Sequence, residues 1–265
     1  MSVKPVAFVQ LPLPLNYRKN NIMKKIAMIP ARYAATRFPF KLMQQLGDRT
    51  VIMHTYHNTL STNLFDEVYV VTDSDVIYNE ITLHGGKAIK SLRTHESGSD
   101  RIAEAVENID ADIVLNVQGD EPFVSREPLK KLLDVFEDST VNVASLMKPF
   151  HDHEKANNPN IVKVVVDENN NSLLFSRSPI PYHRDELGPI EYMEHIGVYA
   201  FRKEILLQFT KWPVTPLESR EKIECLRYLE HGIALKMVTT NSEMVKIDVP
   251  EDLDNARKYL QKYKP

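Results

Sequence analysis

Three cationic side chains stand close together in the loop that follows the first apolar run of the chain. The segment IPARYAATRFPFK contains Arg32, Arg37 and Lys41 but no glycine. Familiar phosphate loops use glycines and bare backbone amides, whereas arginine binds phosphate in a bidentate manner and lysine acts as a point charge. A triphosphate carries about four negative charges and would suit several cations. Taken alone, the segment predicts either an anion-binding loop or a solvated basic loop.

Two carboxylates directly follow the most apolar run, DIVLNV, in the stretch QGDEP. A carboxylate at the mouth of a buried strand is costly unless it has a partner, and Mg²⁺ takes one or two protein carboxylates together with phosphate oxygens. Asp120 and Glu121 are therefore candidate metal ligands, and Gly119 permits a tight turn. The alternative is a turn or helix-capping acid. Asp248, in KIDVPED before the last helix, is either a second ligand or part of a cap.

Polar residues also end other predicted strands or open a helix. Thr72 and Asp73 end the β-branched run EVYVVT, and Gln118 follows DIVLNV. Ser97 and Gly98, in HESGSDR, offer a hydroxyl and backbone amides at the positive N-terminus of a helix. We expect contacts to a base edge or a phosphate here, with ordinary capping as the alternative for Ser97 and Gly98.

Strands and helices alternate through about residue 150. KIAMI, EVYVVT and DIVLNV are predicted strands, and TVIMHTYHNTLS, DVIYNEITLHGG and DRIAEAVENI are predicted helices. The alternation predicts an α/β fold with a doubly wound, mostly parallel but mixed sheet, in which ligands bind at the carboxyl ends of the strands. Beyond this point, two strands around an Asn-rich turn predict a small, partly antiparallel insertion over about 150–200. Further helices are predicted over LESREKIECLRYLEHG and VPEDLDNARKYLQKY.

Composition argues against several classes of protein. The 265 residues are 43% hydrophobic and 26% charged, with a net charge of -3, unlike a disordered polyanion or a basic nucleic-acid coat. Cys225 is the single cysteine, so the chain has no internal disulfide or cysteine-based zinc site, as expected in a reducing cytoplasm. No apolar run approaches the ~20 residues that span a bilayer. We therefore expect neither membrane insertion nor nucleic-acid binding.

The first 22 residues are set apart from the predicted domain. They contain three prolines, which disfavour the uninterrupted apolar core of a secretory signal. Met23 then begins MKKIAMIPARY in the manner of a natural start. We expect residues 1–22 to be a disordered or misassigned extension, with a short docking arm as the alternative, and residues 23–265 to form one domain.

Nine motifs occur in an order and spacing that resemble a known enzyme family. They are IPARYAATRFP, VVTDSD, THESGSDR, VQGDEP, NPNIVKVV, FSRSPIP, HIGVYAFR, PLESREKIECLR and IDVPEDL. Together they run from about residue 24 to 260 and resemble the CMP-Kdo synthetases, the 3-deoxy-manno-octulosonate cytidylyltransferase family. An ordered set of this length is far more specific than any single motif.

The resemblance implies a CTP-dependent and Mg²⁺-dependent nucleotidyltransferase. Such an enzyme couples CTP to the eight-carbon sugar acid 3-deoxy-D-manno-octulosonate (Kdo), giving CMP-Kdo and pyrophosphate for lipopolysaccharide biosynthesis. It also implies a cytoplasmic homodimer whose interface includes the antiparallel insertion.

Roles for residues at matching positions follow from the same resemblance. The residues that bind the triphosphate are matched by Arg32, Arg37 and Lys41. The pair that holds the metal is matched by Asp120 and Asp248. The implied catalytic group is Asp120, Asp248, Arg32 and Lys41. The nucleotide site is matched by Ser97, Gly98, Arg101 and Gln118, beside which we place Thr72 and Asp73. The sugar-acid site is matched by Arg177, His195, Tyr199, Glu218 and Glu221, with Arg177 paired to the carboxylate.

Four positions depart from the family pattern. Phe40 and Leu42 stand where the family has glycine and proline around the loop lysine, and Phe40 does not readily take a left-handed backbone conformation. Val249 replaces a frequent threonine beside the metal aspartate, and Cys225 replaces glutamine near the sugar pocket. Two alternatives follow: the same reaction on 8-amino-Kdo or another ulosonic acid, and a nucleotide-binding paralogue without catalysis.

Overall fold

A computed structural model describes residues 23–34, 38–93, 95, 97–184, 190–243 and 245–263. The strands are β1 Lys25–Ala31, β2 Gln45–Leu46, β3 Arg49–Thr50, β4 Glu67–Thr72, β5 Ala88–Lys90, β6 Ile113–Asn116, β7 Val143–Phe150, β8 Lys163–Val166, β9 Ser172–Ser176, β10 Tyr192–Arg202 and β11 Lys236–Thr239. The α-helices are α1 Val51–Ser61, α2 Asp75–Leu83, α3 Gly98–Val106, α4 Arg126–Asp134, α5 His153–Asn157, α6 Lys203–Phe209, α7 Pro216–Glu221, α8 Leu226–Glu230 and α9 Pro250–Tyr263. Within the described ranges, no helix combines the length and apolarity needed to cross a membrane. The expectation for residues 1–22 lies outside the described residues.

The main sheet has the strand order β11-β7-β10-β6-β1-β4-β5. β1 lies between β6 and β4 and is parallel to both, whereas β10 runs antiparallel to β6 and β7. Crossover helices place later strands on either side of the first one. The prediction of a doubly wound, mostly parallel but mixed sheet is confirmed.

Apolar side chains fill both faces of the central sheet. Ile113, Val114 and Leu115 of β6 are fully buried, which explains why this strand is an unbroken apolar run. One face packs against α1, α4 and α9, and the other packs against α3, α6 and α8. The central strands thereby fix the loops at their carboxyl ends.

An antiparallel hairpin of β8 and β9 lies within the predicted insertion. Its turn is held by Asp167, whose carboxylate accepts hydrogen bonds from the backbone N–H groups of Asn169 and Asn171. Asn170 takes the left-handed conformation, with a φ of 59°, and asparagine tolerates this better than most residues. β10 belongs to the main sheet, and the limits of the insertion stay a prediction.

The helix predicted over LESREKIECLRYLEHG is in fact two short helices. α7 begins after Thr215, whose backbone N–H donates to Glu218 Oε2 at 3.3 Å as in one half of a capping box, and it ends at Lys222, whose φ of 54° stops the helix. Glu218 then pairs with buried Arg227 through N–O distances of 2.7 and 2.5 Å. Cys225, expected inside one helix, is the N-cap of α8. The left-handed conformation of Lys222 leaves no mark on the spacing of apolar residues. The apolar pattern therefore predicted one continuous helix.

Glu104 of α3 organises the loop that precedes its own helix. Its carboxylate accepts hydrogen bonds from Ser91 Oγ, Leu92 N, Arg93 Nε and His95 Nε2. Burial opposes the negative charge, but these donors, led by His95, outweigh it and lower the pKa of Glu104 to about 2. One ionised carboxylate therefore fixes the loop that runs beside the end of β1.

We expect Glu104→Gln to lower the free energy of unfolding by about 2 kcal/mol at neutral pH, because a neutral amide loses the charge-assisted hydrogen bonds. The folded-state pKa of about 2 lies below the ordinary value of 4.5. The contribution of Glu104 is therefore fully present above about pH 4.5 and is lost as the pH falls toward 2. Denaturant unfolding at about pH 7 and about pH 3 measures both effects.

Glu127→Gln is the control, since Glu127 forms an exposed ion pair with Lys131 on α4 and such pairs contribute under about 1 kcal/mol. Equal destabilisation in the two variants, or a Glu104 effect that does not shrink at low pH, would contradict this assignment.

Candidate active site

A cavity of about 360 Å³ opens at the carboxyl ends of β1 and β6. Eight of the sequence-predicted residues line it: Arg32, Lys41, Ser97, Gly98, Arg101, Gln118, Asp120 and Asp248. They come from the loops after β1 and β6, the N-terminal end of α3 and the segment before α9. The sheet assembles side chains that are far apart in the sequence, as expected for an open α/β fold.

The ammonium of Lys41 joins the two aspartates that were predicted to hold a metal. Its Nζ lies 2.6 Å from Asp120 Oδ2 and 2.9 Å from Asp248 Oδ1. The three side chains are largely buried, with exposed fractions of 15, 12 and 25% for Lys41, Asp120 and Asp248. The two carboxylates therefore converge on one point inside the cavity.

Asp248 is held by its neighbours at the start of α9. The carboxylate of Asp252 accepts hydrogen bonds from the backbone N–H groups of Asp248 and Val249, so Asp252 has the capping role. Lys246 Nζ lies 3.1 Å from Asp248 Oδ2. Burial opposes the charge of Asp248, but Lys41 and Lys246 outweigh it and lower the pKa of this carboxyl.

The donor set at this point fits Mg²⁺. Asp120 Oδ1 is buried and finds no hydrogen-bond partner in the described ranges, and Mg²⁺ usually takes one or two carboxylates from a protein beside phosphate oxygens and water. The described part of the chain contains no group of three or more His, Cys, Asp or Glu side chains able to hold a metal. Asp120 and Asp248 would therefore hold the ion jointly with oxygens of a bound ligand.

Glu121, the other candidate ligand in QGDEP, is in a different electrostatic state. Its side chain is buried, and its Oε2 has no hydrogen-bond partner within the described part of the chain. Burial, reinforced by the charge of Asp120, raises the pKa of Glu121 to about 8. Asp120 lines the cavity whereas Glu121 lies outside its described lining, so the structure favours Asp120.

Gly119 is required by the close approach of this loop to β1. A Cβ at this position would lie 2.9 Å from Pro30 O and 3.3 Å from Ile52 Cδ1. Thr55 Oγ1 donates a hydrogen bond to Gly119 O at 2.9 Å. Close packing, rather than an unusual backbone angle, therefore explains the glycine and fixes the position of Asp120.

Arg101 forms a buried wall of the cavity and is only 1% exposed. Its Nη2 donates to Asp73 Oδ2 at 2.8 Å, whereas its buried Nε and Nη1 have no hydrogen-bond partner among the residues that the structure describes. Burial opposes ionisation of Asp73, but Arg101 outweighs it and lowers the pKa of that carboxyl. Buried donors without partners are rare in proteins, so the guanidinium is prepared for an acceptor on a ligand.

Other predicted nucleotide contacts are engaged in local structure. Thr72 is buried, and its Oγ1 accepts a hydrogen bond from the backbone two residues later; Thr72 and Asp73 lie outside the described lining of the cavity. Ser97 caps α3 by accepting a hydrogen bond from Asp100 N. Gly98 packs against β1, where a Cβ would lie 3.3 Å from a proline ring carbon.

The basic loop keeps part of its predicted arrangement. Arg32 Nη2 donates to His95 O at 3.1 Å, which ties the loop after β1 to the segment before α3. Arg37 lies outside the described residues, so its phosphate contact stays a prediction. Arg32, Lys41 and Arg101 nevertheless place three cations around the cavity.

Phe40 takes the left-handed conformation that its side chain disfavours. Its φ is 58° and its ψ is 22°. Its ring packs against Tyr33 with centroids 4.5 Å apart, and such a contact contributes about 0.5–1.5 kcal/mol. This offsets much of the cost of about 1–2 kcal/mol for a left-handed residue. Leu42, the second departure in the loop, is buried in the core.

His195 and Tyr199, predicted at the sugar-acid site, lie together on β10. Their ring centroids are 5.4 Å apart, and His195 Nε2 lies 3.0 Å from Ser145 Oγ. Burial lowers the pKa of His195 to about 4 and raises the pKa of Tyr199. Both side chains are therefore neutral at pH 7.

The charged residues predicted at the sugar acid have structural partners. Arg177 donates to three backbone carbonyls at 2.6, 2.6 and 3.2 Å. Glu221 accepts hydrogen bonds from Ser176 Oγ and the backbone N–H of Arg177, and Glu218 forms the pair with Arg227. Arg177, Glu218 and Glu221 lie outside the described lining of the cavity, so their contact with a sugar acid stays a prediction.

Glu224 is a candidate that sequence reasoning missed. Among the described residues, its buried Oε1 has no hydrogen-bond partner, and burial raises its pKa, opposed by nearby Ser97 and Ser99. Its charge also acts on Tyr199 and Cys225, so it is close to both α3 and β10. Three glutamates recur at three-residue intervals in ESREKIE, and spacing alone could not distinguish the one whose buried oxygen lacks a partner.

Comparisons with known proteins cover nearly the whole chain. The cytidylyltransferase family model matches residues 26–258. A 3-deoxy-manno-octulosonate cytidylyltransferase of Flavobacterium johnsoniae is 56% identical over 242 residues, covering 90% of this chain and 99% of the relative. Another from Christiangramia forsetii is 54% identical and covers 91% of this chain and 98% of the relative.

Solved structures extend the comparison to the fold. The structure of CMP:2-keto-3-deoxy-manno-octonic acid synthetase complexed with CTP is 34% identical, with a TM-score of 0.86 and coverage of 91% of this chain and 100% of the other. A 4-diphosphocytidyl-2C-methyl-D-erythritol synthase from Anaerococcus prevotii is 18% identical, covers 90% of this chain and 99% of the other, and shares the fold alone, with a TM-score of 0.59. On the family match and these relatives, the chain belongs to the 3-deoxy-manno-octulosonate cytidylyltransferase family.

Proposed function

We propose that the protein transfers the cytidylyl group of CTP to the anomeric hydroxyl of Kdo, giving CMP-Kdo and pyrophosphate. The observation that carries the proposal is the convergence of Asp120 and Asp248 on one point in the cavity. Acidic and basic groups in one cleft suit a nucleoside triphosphate with Mg²⁺. The names of the relatives and of the CTP-bound neighbour support CTP and Kdo as the substrates.

The cationic side chains would bind and orient the triphosphate. Arg32 and Lys41 line the cavity from the loop after β1, and Arg101 lines its buried wall. The anomeric oxygen forms a bond to the α-phosphorus while the bond from that phosphorus to the pyrophosphate oxygen breaks, and the hydroxyl proton is released. The three cations would balance the charge that collects on pyrophosphate, because positioning and charge neutralisation carry most of such a transfer.

Asp120 and Asp248 would hold the metal. When bound, Mg²⁺ supplies charge neutralisation at the phosphate and polarises its oxygens. Asp120 is placed by the close packing of Gly119 on β1, and Asp248 is placed by the cap that Asp252 forms at α9. Both carboxylates are therefore fixed in advance, so that little reorganisation is needed during the reaction.

Neutral polar groups would meet the sugar. His195 and Tyr199 are uncharged at pH 7 and offer hydrogen-bonding atoms to hydroxyl groups. Cys225 is 1% exposed and acts on the pKa of Tyr199, which places the departure from glutamine beside this group. This contact favours a second candidate, the same transfer to 8-amino-Kdo or another ulosonic acid.

The protein would work as a cytoplasmic homodimer. Leu173 and Leu174 of β9 are 62 and 38% exposed and point to opposite faces of the hairpin, and a dimer interface would cover part of this apolar surface. Cys225 is a free, buried thiol, as a reducing compartment favours.

Light scattering in solution should give the mass of two chains, and a monomer at micromolar concentration would contradict the dimer.

Pyrophosphate release from CTP and Mg²⁺, measured against a panel of ulosonic acids, tests the function. We expect turnover with Kdo, because the chain belongs to a family whose members carry that name. Turnover with 8-amino-Kdo but not with Kdo would establish the second candidate. Silence with every sugar acid, in a folded protein that binds CTP, would identify a paralogue without catalysis.

Asp120→Asn should lower kcat by about 100-fold or more, equivalent to about 2.7 kcal/mol, because an amide cannot neutralise or firmly hold the cation. The pyrophosphate assay measures the loss, and circular dichroism checks that the fold is retained.

Asp75→Asn is the matched control. Asp75 pairs with Lys90 at 2.7 Å, but its side chain is 87% exposed and lies outside the described lining of the cavity. This variant should keep normal turnover. Near-normal turnover in folded Asp120→Asn would reject the metal assignment.

A further inference from the structure

Lys41 occupies the point in the cavity on which the two proposed metal ligands converge. Its Nζ lies 2.6 Å from Asp120 Oδ2 and 2.9 Å from Asp248 Oδ1, whereas Mg²⁺ binds carboxylate oxygens at about 2.0–2.1 Å. An ammonium and a divalent cation on the same oxygens would repel each other strongly, because these side chains are little exposed to screening water. The two cations therefore compete for one position.

A second anionic partner for Lys41 would lie within the reach of its own side chain. Lys41 lines the cavity together with Arg32 and Arg101, which is where the triphosphate would bind. Its four-carbon stem is flexible, and its ammonium has three donors. Its backbone lies in a 3-10 turn directly after Phe40, whose ring is anchored on Tyr33. The ammonium can change partner by side-chain rotation alone.

We propose that Lys41 is an exchangeable counter-ion. Its ammonium joins Asp120 and Asp248 in the free enzyme, and it transfers to the triphosphate when a divalent cation arrives with CTP. The inference rests on the proposed function and adds an order of binding to it. The metal binds the free enzyme weakly, and it binds tightly only together with the nucleotide.

Lys246 offers an internal comparison. Its Nζ lies 3.1 Å from Asp248 Oδ2, the other oxygen of the carboxylate, and its side chain is 47% exposed. Lys246 also lies outside the described lining of the cavity. Replacing Lys246 by a neutral residue removes one positive charge near Asp248, as replacing Lys41 does. It leaves the ammonium of Lys41 on Asp120 Oδ2 and Asp248 Oδ1.

Titration of the free enzyme with Mn²⁺, followed by electron paramagnetic resonance without CTP, measures metal affinity directly. We expect Lys41→Gln to bind Mn²⁺ at least about tenfold more tightly than the wild-type protein, and Lys246→Gln to differ from it by less than about threefold. Lys41→Arg keeps the charge and should remain weak. Adding Asp120→Asn to Lys41→Gln should abolish the gain.

CTP affinity should move in the opposite direction. In calorimetric titrations without the sugar acid, Lys41→Gln should bind CTP more weakly because it lacks a charged phosphate contact. If Lys41 had only a structural role, its replacement would weaken the binding of both Mn²⁺ and CTP, or of neither. Melting temperatures check the fold, and Mg²⁺ should raise that of Lys41→Gln more than that of the wild-type protein.

Unchanged or weaker Mn²⁺ binding by folded Lys41→Gln would overturn the exchange, and so would an equal gain in Lys246→Gln. Pyrophosphate release by the wild-type protein, measured in parallel, separates this result from failure of the proposed function. Turnover without the gain in Mn²⁺ affinity rejects the exchange alone. The gain without turnover supports the exchange and rejects cytidylyl transfer to the sugars tested.

Discussion

The buried cluster of Lys41, Asp120 and Asp248 is the constraint on which the rest of the site depends. An isolated charge of this burial costs several kcal/mol, so neither carboxylate could keep its place without a cation beside it. The backbone joins the same elements, because Ile247 N donates to Asp120 O at 3.0 Å. The three charged residues come from distant parts of the chain, and the sheet must be complete before they meet.

The walls of the cavity are fixed by polar contacts that also leave donors for a ligand. Asp73 accepts a hydrogen bond from Nη2 of Arg101, and the buried Nε and Nη1 have no hydrogen-bond partner among the described residues. Glu104 holds the loop whose carbonyl, at His95, accepts a hydrogen bond from Arg32. Structural stability and readiness for an anion therefore come from the same side chains, as is common in buried polar networks.

The predictable part of this site is the part that depends on local sequence. Asp120 follows a continuous apolar strand, and Lys41 follows a strand end, so their placement at one edge of the sheet could be inferred. The choice between Asp120 and Glu121 as the metal ligand could not be inferred, because it depends on the burial of Glu121, which raises the pKa of that carboxyl. The left-handed backbones of Phe40 and Lys222 could not be predicted either, since neither residue type favours them.

Tertiary contacts likewise decide what the residues after 150 do. The family resemblance implied that Arg177 pairs with the sugar carboxylate, yet three backbone carbonyls accept hydrogen bonds from its guanidinium. Its side chain joins the end of β9 to the C-terminal end of α7, and a sugar carboxylate would have to compete with those contacts. A motif gives the residue type at a position, but the partners of that residue are set by the fold.

The cavity and the proposed sugar-acid site differ in charge, and this difference would constrain selectivity. The cavity carries three cations and two carboxylates, which suit phosphate and metal but do not read the pattern of hydroxyls on a sugar. His195 and Tyr199 on β10, outside the described lining of the cavity, are neutral. A site that hydrogen-bonds a substrate group discriminates strongly against analogues without it. Cys225 offers only a weak S–H donor where an amide would offer both donors and an acceptor, so a sugar acid bound beside it would be recognised there through shape and through the neighbouring tyrosine.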